Sequence, residues 1–365
     1  MRHIEEFHDA RACQALMRRI AAQVDGPVRI MEVCGTHTHA IARSGIRAAL
    51  PSAVRLLSGP GCPVCVTSPG DIDAIVDLAS RPEVDVYTFG DMMRVPGSRG
   101  SLADARARGG RVRVCYSPAE ALEAAVGAPE RQVVFVATGF ETTAPATACA
   151  VRDAREMGLV NFSVFVANKR IPPAMEALLE SGEVRIDAFL CPGHVSAIVG
   201  ADAYVAIAER YGRPCVVAGF EPTDILQAIV AILEMRGGGA AGVAVQYSRA
   251  VRWQGNARAQ RVVAEVFEPW SPYWRGLGAI ADGGLRLRET YADLDAVRRF
   301  GLEVGPGVED PSCACGAVLR GAFEPDECGV FGTACTPEHP VGPCMVSSEG
   351  ACAARFRYGR GGLRA

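Results

Sequence analysis

The stretch QVVFVATGFETTAPATACAVRDAREM, residues 132–157, decides the fold. Its first part is an unbroken β-branched and aromatic run, the mark of a strand covered on both faces. Gly139 allows a tight turn out of that strand. Thr142 or Thr143 can cap the helix that follows, and Pro145 suits its first turn. Strand, glycine turn and helix in that order form half of a parallel α/β unit.

The same alternation runs from about residue 27 to 236. Strands are predicted at 28–33, 54–59, 84–90, 111–117, 132–140, 162–168, 186–193 and 215–220. Helical patterns lie between them at 71–80, 118–126, 142–157, 172–180 and 222–235. Strands alternating with helices predict parallel sheets with helices on their faces. The APERQ segment, 128–132, divides the eight strands, so two related α/β domains are expected, at 25–125 and 126–240. A weak repeat supports the division: VATGFETT (136–143) and VAGFEPT (217–223) both end a strand in Gly-Phe-Glu. Such loops fall at the carboxyl ends of parallel strands, where α/β proteins gather ligands. Glu141 and Glu221 stand beside apolar strand ends, and a carboxylate there needs a partner.

MRGGGAAG, 235–242, is a flexible boundary. Beyond residue 300 the chain is rich in Gly, Pro and Cys and has no sustained period. A segment of that kind buries little apolar surface, and a metal centre could supply the missing stability. The N-terminal 24 residues read as an amphipathic helix with Ile4, Cys13, Leu16, Met17, Ile20 and Val24 on its apolar side. With 241–365 they form a third region.

The 365 residues carry a net charge of only -3, which argues against a nucleic-acid surface. The N-terminus does not read as a signal peptide, and no apolar run reaches the roughly 18–20 residues of a membrane span. The expected compartment is the cytoplasm. Fourteen cysteines in a reducing compartment read as metal-binding or redox-active wherever they cluster. Cys13, Cys115, Cys149 and Cys215 sit singly in apolar contexts and read as small buried hydrophobes. Cys191 is less clear, because it begins CPGH.

Six cysteines fall between 313 and 352. Four thiolates suit an iron–sulfur cluster or structural zinc, and the wide spacing favours iron. One choice is Cys313, Cys328, Cys335 and Cys352, which leaves Cys315 and Cys344 as a dithiol pair. A set beginning at Cys315 is equally simple. Upstream, SGPGCPVCVT (58–67) places Cys62 and Cys65 in a C-x-x-C loop after a strand, for redox or metal chemistry. Cys34 follows another strand in CGTHTH. With His37 and His39 it reads as a zinc box, or with His37 alone as a nucleophile and base. Either histidine could instead simply bond backbone at a helix start.

Taken together, CGTHTHAI, GPGCPVCVT, GFETTAPATA, CPGHVSAI, GFEPTDIL and CTPEHPVGPCMVSSEGAC resemble the HypD family of [NiFe]-hydrogenase maturation proteins, in order and over essentially the whole chain. The resemblance implies two related α/β domains and a third domain bearing a [4Fe–4S] cluster, similar to the cluster region of ferredoxin–thioredoxin reductase. It implies a scaffold, shared with a small HypC-type partner, on which an Fe(CN)2CO unit is assembled. Cyanide would come from a HypE–HypF pair, and the unit would pass to a hydrogenase large-subunit precursor. Carried onto this sequence, Cys34 would bind the iron and His37 would assist it. Cys62 and Cys65 would be a redox pair, and Glu141 would line the cleft. Cys313, Cys328, Cys335 and Cys352 would hold the cluster, with Cys315 and Cys344 as thiols between it and the iron. The role expected is scaffold and electron relay rather than turnover enzyme. The rival reading is a stand-alone iron–sulfur thiol–disulfide oxidoreductase of the ferredoxin-dependent type.

Overall fold

The computed structural model describes residues 9–239 and 241–359. Ile4, expected in the first helix, lies outside the described residues. Ala10–Gln23 is helical, capped by the Asp9 carboxylate, which accepts the Arg11 and Ala12 amides.

Nine strands build two parallel sheets. They are β1 (Val28–Glu32), β2 (Val54–Ser58), β3 (Val84–Thr88), β4 (Val112–Val114), β5 (Gln132–Ala137), β6 (Phe162–Val166), β7 (Ala188–Pro192), β8 (Cys215–Ala218) and β9 (Val243–Val245). The first sheet has the order β2-β1-β7-β8-β9 and the second β4-β3-β5-β6. The pairings within both sheets are parallel.

The division expected at residue 125 does not follow these sheets. The chain leaves the first sheet after β2, builds the whole second sheet from β3 to β6, and returns to the first at β7. The two sheets still share a plan. Counted within each sheet, their strands run 2-1-3-4, with β9 as a fifth in the first. The Gly-Phe-Glu repeat does not sit at equivalent places in that plan. It follows the third strand of the second sheet and the fourth strand of the first.

Alternate residues of each strand enter different cores, as a period of two demands. In β1, Ile30 joins the core under the N-terminal helix and Pro222–Gly237, while Met31 faces the opposite way. In β5, Val133 and Phe135 enter one core and Val134 and Val136 another. The core holding Met31, Val86, Val134, Phe189 and Trp274 also takes in Cys315, Cys344 and Cys352, so it joins both sheets and the cysteine-rich tail. Phe135, Phe162 and Phe189 are fully buried, each stabilising the fold by roughly 1.5–3 kcal/mol.

The chain's single lysine, Lys169, fastens these parts together. It follows β6 and is 1 % exposed. Its Nζ lies 3.3 Å from Asp71 Oδ2, at the start of helix Pro69–Ala79, and donates to the Tyr273 carbonyl at 3.1 Å.

Candidate functional site

In each sheet the connections after two neighbouring strands depart to opposite sides, which opens a crevice at the strand ends. In the first sheet these strands are β1 and β7, followed by Cys34 and by Gly193-His194. In the second they are β3 and β5, followed by Phe89–Met92 and Thr138–Thr143. Both crevices open on one cavity of about 480 Å³, walled by Gly61, Met92, Phe140, Thr143, His194 and Glu349 among others. Glu349 belongs to the cysteine-rich tail, so the third region also forms part of the wall.

Cys34 lies one residue behind this wall. It follows β1 in extended conformation and stands at the start of helix Gly35–Ser44, which stops at Gly45 with φ 71°. Its Sγ is 3.7 Å from His194 Nε2. Gly61 packs against its backbone: the Gly35 amide donates to the Gly61 carbonyl at 2.8 Å, and a Cβ on Gly61 would lie 2.1 Å from the Cys34 nitrogen. Burial pushes the Cys34 thiol up to about 12, the backbone N–H of His37 pulling the other way. Glu349 and Glu32 add to the rise. A metal cation would have to displace this proton to gain the thiolate.

His37 and His39 diverge, as residues two apart on a helix must. His37 Nε2 meets the Gly219 carbonyl at 2.9 Å and its ring packs on Phe220, centroids 4.8 Å apart. His39 Nδ1 faces the Ser348 carbonyl at 3.2 Å. The three-ligand zinc box is therefore not formed, and neither is a Cys34–His37 dyad. The imidazole beside Cys34 is that of His194, which also stacks on Phe220, with centroids 5.0 Å apart. Burial lowers both His37 and His194 to about 4. Both rings are neutral at physiological pH, and His194 Nε2 can accept a hydrogen bond from the Cys34 thiol.

Two further side chains shape this floor. Glu32, on β1 itself, is fully buried; its Oε1 accepts the Thr38 hydroxyl at 2.7 Å, and burial raises it to about 8. Thr36 donates to Glu349 Oε1 at 2.6 Å, tying the Cys34 helix to the tail.

The thiols form a line. Cys62 caps the short helix Pro63–Val66, and its Sγ touches Cys65 Sγ at 2.6 Å. Cys65 neighbours Cys344, whose thiol is a hydrogen-bond partner for it. Cys344 meets Cys315 at 2.6 Å. Cys352 lies beside Cys344, and Cys313 beside Cys315. The Ala314 amide points at Cys328 Sγ (3.5 Å) and the Val341 amide at Cys335 Sγ (3.4 Å). Gly342 lies so close to Cys313 that a Cβ there would stand 2.3 Å from its sulfur. Among the described residues no three Cys, His, Asp or Glu side chains are grouped to hold one metal ion. A cubane binds each thiolate to a different iron, so its four ligands stand farther apart than those of one ion.

The profile of the family described as "HypD: Hydrogenase formation hypA family" matches residues 11–359. The chain belongs to the HypD family. It is 49 % identical to the hydrogenase maturation factor HypD of Azotobacter vinelandii, over 99 % of this chain and 97 % of that one. It is 48 % identical to HypD2 of Bradyrhizobium diazoefficiens over the same shares, and 44 % identical to HypD of Escherichia coli over 98 % of each. These relatives are hydrogenase maturation factors, and so is this member of the HypD family. Among its described residues, no helix is long and apolar enough to cross a membrane.

Within this HypD-family fold, the Cys62–Cys65 loop packs through Gly61 on the Cys34 backbone, and Cys65 meets Cys344 of the tail. Glu141 departs from its expected place. Its carboxyl accepts the Ile171 amide at 3.0 Å and faces a different cavity, while its neighbours Phe140, Thr142 and Thr143 line the one before Cys34. Glu221 instead caps helix Pro222–Gly237. Sequence reading missed His194, Phe220, Glu32 and Glu349 as site residues. CPGH after a strand was the available signal for His194, and an acid inside the apolar run VRIMEV was the signal for Glu32.

Proposed function

We propose that Cys34 binds an iron carried as cargo, and that with a HypC-type small protein this chain forms the scaffold on which an Fe(CN)2CO unit is assembled. The observation that carries this reading is the convergence of both crevices and the tail on one cavity with Cys34 behind its wall. A soft thiolate in a water-poor pocket suits an iron bearing cyanide and carbonyl. His194 Nε2 is a hydrogen-bond partner for the Cys34 thiol, and Phe220 packs on that ring; an incoming cation, not the imidazole, would drive the proton off. Cyanide would arrive from a HypE–HypF pair, and the finished unit would pass to a hydrogenase large-subunit precursor, all in the cytoplasm.

Cys313, Cys328, Cys335 and Cys352 would hold a [4Fe–4S] cluster, which would supply single electrons at the tail. The amide-to-sulfur contacts at Cys328 and Cys335, and the glycine required beside Cys313, support the fit. The contact between Cys315 and Cys344 favours the ligand set that begins at Cys313. The two dithiol pairs, Cys315–Cys344 and Cys62–Cys65, are placed to hold reducing equivalents between tail and cavity. A stand-alone thiol–disulfide oxidoreductase would use the same thiols but leaves the packing of His194 on Cys34 without a purpose.

Metal analysis of anaerobically purified protein tests the cluster. About four irons per chain are expected beyond any cargo iron, together with broad visible charge-transfer absorption. Cys328→Ala should lose both while Cys34→Ala keeps them. Zinc alone in the wild type would sink the reading.

A further inference from the structure

The loop after β5 has two faces. Phe140, Thr142 and Thr143 look into the cavity before Cys34, whereas Glu141 lines a separate cavity of about 230 Å³ behind the loop. Glu141 is 7 % exposed. One oxygen, Oε1, accepts the Ile171 amide. The other, Oε2, is buried and has no hydrogen-bond partner. An unpaired buried carboxyl oxygen is costly and calls for a partner. Burial pushes this carboxyl up to about 7, the amides of Glu141 and Ile171 and the charge of Arg170 pulling the other way.

No side chain lining the cavity fills that need. The Gln260 amide is committed to the carbonyls of Ile198, Val199 and Gln254. Arg170 donates through Nη1 to the Asp282 carbonyl, and Arg288 through Nε to the Ala264 carbonyl, with its Nη1 also 3.8 Å from Glu268 Oε2. Each guanidinium has five N–H donors, so both keep donors beyond these bonds. The remaining wall includes Ile198, Val199, Val263 and Phe267. The space exceeds the ~30 Å³ share of one water, and lies below the ~300 Å³ at which drug-sized pockets begin.

We propose that this cavity binds a small zwitterion, an α-amino acid with a short apolar side chain. Its ammonium pairs with the Glu141 carboxyl, whose buried Oε2 turns toward the cavity to meet it, its carboxylate with Arg170 and Arg288, and its side chain with Val199, Val263 and Phe267. One unpartnered acid, two guanidiniums with spare donors and an apolar wall match those three parts. A lone amine would leave the arginines unmatched and be repelled by them. A lone carboxylate would leave Glu141 unmatched. The proposal does not rest on the iron reading, because the cavity shares only the loop with the site before Cys34.

The test is calorimetric titration of the anaerobic full-length chain with L-leucine, 3-methylbutylamine and 4-methylpentanoate. Saturable binding of L-leucine is expected, with both half-probes weaker by about tenfold or more, the scale of one charged hydrogen bond. Glu141→Gln should weaken L-leucine by a similar factor. Ala264→Trp, on the exposed face of helix Ala257–Val266 at the cavity's edge, should block it without entering the core. No saturable L-leucine binding, equal binding of either half-probe, or unchanged binding in Ala264→Trp overturns the proposal. Visible absorption of the cluster in each variant reports separately whether the rest of the protein is intact.

Discussion

A methyl group on Gly61 would meet the backbone nitrogen and Cα of Cys34, neither of which is a flexible side-chain end. Gly61→Ala must therefore move the C-x-x-C loop away from the Cys34 helix. It is expected to cost about 1–3 kcal/mol, as overpacking does, seen as a lower midpoint in anaerobic denaturant unfolding. An unchanged midpoint would mean the two loops are not in contact. Glu141 gives a pH signature. Burial raises it from an ordinary 4.5 to about 7, so the folded state holds its proton more tightly than the unfolded chain. Its contribution is fully present below 4.5 and lost as pH rises through 7. Glu141→Gln should therefore flatten the decline in stability between these values, by up to about 3 kcal/mol. Equal pH slopes in both proteins would contradict this. At this scale Cys34 was legible, because a cysteine ahead of Gly-x-His after a strand has little structural reason to be there. His194 was not legible as its neighbour, since that contact exists only because β7 pairs with β1, some 160 residues apart in sequence.

The strands of the two parallel sheets lie within the expected spans apart from β9, because long β-branched runs between helical patterns allow few alternatives. β9 went unread: three half-exposed residues after a glycine-rich run carry almost no pattern. The pairing order was also out of reach, since nothing local says that the chain leaves a sheet after two strands and returns to it. The Gly-Phe-Glu repeat misled for a related reason. It records the chemistry of a strand-to-helix turn, not a position in the sheet. Lys169 binds elements that the sequence keeps far apart. Lys169→Ala would leave Asp71 buried without its cation, at a cost of about 3–5 kcal/mol. Amine-specific labelling checks the burial directly. The folded chain should react only at its α-amino group, and a second label should appear only with global unfolding. Rapid labelling of Lys169 in the folded state would refute the ion pair.

For the molecule as a whole, three regions contribute to one cavity. The first sheet brings His194 with Cys34 behind it, the second brings the Phe140 loop, and the tail brings Ser347 and Glu349. The motifs were readable because each carries its own residue chemistry, but their convergence is a property of two crevices opening on one cavity. Infrared spectroscopy of the anaerobic wild-type and Cys34→Ala proteins, each isolated with its HypC-type partner, tests the central claim. Iron bound at Cys34 should give cyanide and carbonyl stretching bands in the wild type and none in Cys34→Ala, with the cluster absorption equal in both. Bands at full strength in Cys34→Ala would show that the iron is held elsewhere.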